Sequence, residues 1–135
     1  MSRKTAREVA MKISFARLLG GDAAYKDVLE KSELSKTPTE DDIAFADNIV
    51  SGIEAHCQEL DALINDYAKN WTAERLPKVD LVILRIAFYE LLYSDNPSGA
   101  VINEAVALAK RYCDDKSYQY INGILGSYVR KEGKV

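Results

Sequence analysis

Apolar residues recur along this chain at intervals of three and four, and that spacing predicts helix almost throughout. Residues 3–19 form the first, with Val9, Ala10, Ile13, Phe15, Ala16, Leu18 and Leu19 as its apolar part and Gly20-Gly21 as its stop. A short helix over roughly 23–32 follows from Tyr25, Val28 and Leu29. Thr39 is a good N-cap, with Glu40, Asp41 and Asp42 in the positive first turn that it opens. Ile43, Ala46, Ile49, Val50 and Ile53 keep the helical period, and Leu60, Leu63, Ile64 and Tyr67 resume it. The polar stretch His56–Glu59 leaves open whether this is one helix or two.

Trp71–Pro77 reads as a connector. Residues 79–93, VDLVILRIAFYELLY, are apolar on every side, with only Asp80, Arg85 and Glu90 charged. A helix of that kind belongs in the middle of a bundle. A buried strand is the alternative, but the length and the Leu, Ala and Glu content favour helix. Asp95-Asn96-Pro97 is a turn. Helices over 100–112 and 117–130 complete the chain, with Ser117 as the expected cap of the last. Gly123 and Gly126 are expected to admit a neighbouring helix. The fold class is all-α: about seven helices in one domain of two small packed bundles, about 1–70 and about 77–135.

Composition adds little to this picture, and charge adds more. The 135 residues suffice for one domain, and 47% apolar content can build its core. Without a membrane-length apolar run or an export signal, the expectation is a soluble cytoplasmic protein. Cys57 and Cys113 are then read as two unpaired, small buried apolar side chains. The net charge is −3, yet residues 1–17 hold Arg3, Lys4, Arg7, Lys12 and Arg17 against Glu8 alone. Residues 109–135 hold six bases against three acids, and the middle of the chain is strongly acidic. Two basic ends that met in space would make one patch suited to a polyanion. Charge alone reads equally well as solvated termini.

Chemistry-bearing motifs are missing. His56 is the one histidine, no Cys/His cluster or metal-ligand spacing occurs, and no phosphate-binding glycine loop follows a strand. No nucleophile–base pair suggests itself. The reading is a protein that is not an enzyme and uses no metal or cofactor.

Two segments carry binding chemistry. Arg3, Lys4 and Arg7 can share one side of the first two turns of a helix, where cations are unfavourable and anions favoured. A phosphate ligand would account for them. In KRYCDDKSYQYINGIL, 110–125, bases alternate with Tyr112, Tyr118 and Tyr120, the mixture that single-stranded RNA binders use for phosphates and for stacking. Ile121, Ile124, Leu125 and Tyr128 form the core stripe of that last helix. Tyr118 and Tyr120 flank the stripe on opposite sides, and the helical wheel does not choose between them.

RKTARE at 3–8, VDLVILRIAFYEL at 79–91, VINEAVALAK at 101–110 and SYQYINGIL at 117–125 resemble the NusB family of transcription antitermination factors, in order and spacing, across nearly the whole chain. The resemblance implies two packed helical bundles. It implies binding of boxA-type single-stranded RNA together with NusE, a ribosomal protein of the small subunit, and entry into an RNA polymerase elongation complex. By the same resemblance, Arg3, Lys4, Arg7, Lys116, Ser117 and Tyr120 are RNA-binding positions, and Phe15 and Asp80 face NusE.

There are departures from the family pattern. Thr5 stands where some members carry another Arg, which thins the basic tip, and Phe15 lacks the hydroxyl of a Tyr. Similar domains occur fused to RNA cytosine methyltransferases, for which this length leaves no room. A helical protein–protein scaffold without an RNA role is the competing reading. Pairing of two copies through the apolar face of the first helix, a homodimer, is also left open by the sequence.

Overall fold

The computed structural model describes residues 3–20, 34, 36–68, 73 and 75–133. Six helices make up these residues: α1 (Lys4–Leu18), α2 (Glu40–Ala55), α3 (Cys57–Tyr67), α4 (Lys78–Tyr93), α5 (Ser98–Tyr112) and α6 (Asp115–Glu132). No strand occurs among the described residues. The short helix expected over 23–32 lies outside them.

Local chemistry explains most boundaries. α1 gives way at Gly20, whose φ of +97° suits a residue without a Cβ. Thr39 opens α2 with a capping box. Its hydroxyl accepts from the Asp42 N–H at 3.1 Å, and its own N–H donates to the Asp42 carboxylate at 3.0 Å. The stretch left open between one helix and two is broken at His56, whose ring stacks on Tyr93 at 4.4 Å.

The last helix starts two residues before its expected first residue. Asp114, not Ser117, is the cap, and its carboxylate accepts from the N–H groups of Lys116 and Ser117 at 3.0 Å each. These bonds hold the Asp114 carboxyl below its usual range. The Ser117 hydroxyl is thereby released for another use.

α4 packs against each of the other five helices. Its Ile83, Leu84 and Phe88 are fully buried, as its all-round apolar sequence requires. Val9 and Ile13 of α1, Leu60 and Ile64 of α3, and Ile121 and Leu125 of α6 join them in one contiguous core. Tyr128 sets its ring edge-on to Phe88 at 5.2 Å and to Tyr67 at 5.6 Å, which ties α3, α4 and α6 together. Both halves of the chain contribute to this core.

The glycine expectation is corrected. Among the described residues nothing lies within 4 Å of a Cβ added at Gly123, and one added at Gly126 meets only the Arg130 side chain. Gly52 is where helices approach closely, because a Cβ added there would collide with the hydroxyl end of the Tyr89 side chain.

Candidate nucleic-acid interface

The basic tip of α1 divides into an outer and an inner part. Lys4 is exposed. Arg3 lies 4.5 Å above the Phe45 ring and donates to Asp41 at 2.8 Å. α1 has no side-chain cap and no acid in its first turn, so nothing of its own offsets the positive helix end. Arg7 turns inward. It is 7% exposed, and its Nε and Nη2 donate to the two carboxylate oxygens of Glu90 at 2.8 and 2.6 Å. The expected common face of Arg3, Lys4 and Arg7 therefore reduces to Arg3 and Lys4, with Arg7 tying the tip to α4.

The two basic ends of the chain do meet. Glu8, buried in α1, accepts from the Tyr112 hydroxyl at 2.7 Å and lies 3.4 Å from the Arg111 guanidinium. Lys12, one turn further along α1, sits 4.9 Å over the Tyr112 ring, and Arg111 sits 5.5 Å from the same ring. Burial and the Glu8 carboxylate push the Tyr112 phenol up to about 12, so it remains a donor at neutral pH. The sequence places Arg111 and Tyr112 in the basic–aromatic segment 110–125 and Lys12 among the bases of the first helix, but does not bring the three together. The signal was the spacing Lys4, Glu8, Lys12, which sets three charges on one helix ridge.

At the start of α6, Lys116 is exposed beside the Asp114 cap. Ser117 is buried and donates to Asp80 at 2.8 Å. Tyr120 is half-buried, and its hydroxyl is enclosed with no hydrogen-bond partner among the described residues. Burial and the Asp80 charge raise its phenol above the ordinary value. Asp80, 4% exposed, is thus an internal clamp between α4 and α6 and not a displayed acid. It also stands by Cys113, whose thiol burial and Asp80 push up to about 12. Ser117, Tyr120 and Asp80 form one cluster. Phe15 stands apart, half-buried against the core on the later part of α1.

A groove of about 720 Å³ opens between the α1 tip, the stretch before α2 and the outer ridge of α5. No group of side chains suited to a metal ion occurs among the described residues, and none of the described helices is long and apolar enough to cross a membrane.

The sequence profile of the NusB family matches residues 4–130, from the first turn of α1 into the last turn of α6. The chain belongs to the NusB family. A transcription antitermination protein NusB of Macrococcus caseolyticus is 39% identical over 132 residues, spanning 98% of this chain and 99% of that one. Among solved structures, NusB of T. maritima superposes with a TM-score of 0.82 at 31% identity, over 97% of this chain and 92% of that chain. A structure of antitermination factors NusB and NusE in complex with dsRNA superposes at 0.80 with 28% identity, over 96% of each chain. These matches cover the α1 tip and the start of α6 together.

Proposed function

We propose that this chain binds boxA-type single-stranded RNA together with NusE in the cytoplasm, and that the assembly joins an RNA polymerase antitermination complex without itself catalysing a reaction. The observation that carries the reading is the junction of the two basic ends at Glu8, Tyr112 and Arg111, which makes one surface from segments a hundred residues apart. The relative seen with NusE and RNA supports the choice of partners.

In this reading Arg3, Lys4 and Lys116 meet phosphates, and the open part of the Tyr120 ring stacks on a base. Arg7 acts from behind by fixing the tip to Glu90, and Ser117 by fixing the start of α6 to Asp80. Phe15 meets NusE directly, whereas Asp80 influences it through the cluster it holds.

Fluorescence anisotropy of a labelled boxA-like RNA, titrated across a salt series with and without NusE, tests this. The expected result is sequence-selective binding that falls with salt and tightens with NusE. A folded protein that binds no RNA in either mixture would leave the protein scaffold as the better reading.

A further inference from the structure

The groove beside the α1 tip is lined by Lys4, Thr5, Lys36, Thr37, Glu104 and Arg111, among others. We propose that it carries a stretch of RNA backbone beyond the family positions named above, with Arg111 and Lys36 binding phosphates. The proposal rests on the RNA reading and names new contacts for it.

Lys4, Lys36 and Arg111 give this wall three cations, and the hydroxyls of Thr5 and Thr37 can donate beside them, a set suited to anionic oxygens, while the N-terminus of α1 at Lys4 carries no side-chain cap. Arg111 is the best organised of these groups. Its Nε lies 3.4 Å from the Glu8 carboxylate and its Cζ 5.5 Å from the Tyr112 ring centroid, while its side chain is 48% exposed. A planar guanidinium held on one side is oriented for phosphate on the other. Arg111 lies in the last turn of α5, five residues before Lys116 at the start of α6, so the groove and the Lys116 position sit on consecutive elements.

The carboxylates of the groove are unequal. Glu8 is buried and shared between Tyr112 and Arg111, and Asp42 is buried in the α2 capping box. Glu104 remains on the wall, where it would repel a phosphate. That gives the proposal two substitutions of opposite sign.

The test uses the full chain with NusE and a labelled boxA-like single-stranded RNA, titrated across a salt series. Arg111→Gln should reduce the slope of log affinity against log salt by about 0.7, the loss of one phosphate contact on a single strand. Arg111→Lys should keep the slope, and Glu104→Gln should tighten binding at low salt. Lys36→Gln, at an exposed position outside every helix, repeats the slope test independently of helix stability. Unchanged slope and affinity in both Gln variants at Arg111 and Lys36, with the parent chain binding normally, would overturn the groove path and leave the RNA reading standing. Absence of salt-dependent binding by the parent chain would overturn both.

Discussion

Arg7 and Glu90, 83 residues apart in sequence, face each other through two hydrogen bonds inside the protein. Asn96 adds a third contact to the Glu90 carboxylate at 3.1 Å. A buried ion pair of this kind contributes little relative to an apolar pair, but removing one partner strands the other charge.

Arg7→Ala should therefore destabilise the fold by about 3–5 kcal/mol. Urea unfolding followed by circular dichroism checks this. RNA binding by this variant then reports on the fold as much as on contact, so Lys4→Ala and Lys116→Ala are the cleaner surface tests. A change below about 1 kcal/mol in Arg7→Ala would show that Glu90 finds water or another partner.

Tyr120 offers a separation of ring from hydroxyl. Its hydroxyl is enclosed without a partner among the described residues, so Tyr120→Phe should keep or slightly raise stability, by up to about 1 kcal/mol. RNA affinity should be unchanged. Tyr120→Ala should weaken RNA binding by about 1–3 kcal/mol if the ring stacks on a base. Anisotropy and thermal melts on the two variants decide it, and a large affinity loss in the Phe variant would assign the contact to the hydroxyl instead.

Gly52→Ala should cost about 1–3 kcal/mol, because the new methyl group collides with the Tyr89 ring between α2 and α4. Adding Tyr89→Leu should recover part of the loss. A thermal melt of both variants checks the pair, and an unchanged melting temperature in Gly52→Ala would mean the ring moves aside freely.

Tyr112 predicts a feature of the alkaline limb. In the folded protein its phenol is pushed up to about 12, whereas in the unfolded chain it titrates near 10. The neutral phenol therefore stabilises the fold fully below about pH 10, and that contribution is lost as pH rises towards 12. Stability measured by urea unfolding from pH 9 to 11 should decline less steeply in Tyr112→Phe than in the parent chain. Equal slopes would place the alkaline loss elsewhere, with Cys113 as the first candidate.

Much of the fold was legible because it is set locally. The Thr39 cap, the Gly20 stop and the burial of α4 all follow from residues within a turn or two of one another. The cap of α6 was misplaced by three residues because Asp114 and Ser117 both have cap chemistry, and only the long-range bond to Asp80 commits Ser117 elsewhere. The same physics governs the site. Lys4 in the first turn of its helix and Lys116 before the expected start of the last helix are both exposed, but the inward turn of Arg7 depends on Glu90, and nothing near residue 7 in the sequence announces it. The bond that takes Asp80 inward, to Ser117, is likewise long-range and has no local signal around residue 80.

The central position of α4 bears on how the molecule comes apart. A helix in contact with all five others cannot separate from any one of them alone. Its amide hydrogens should exchange with solvent only when the whole domain unfolds, and more slowly than those of α5 or of the first turn of α1. A cut between residues 70 and 77 would leave the first half without the surface it packs on, so neither fragment should hold its structure until the two are mixed.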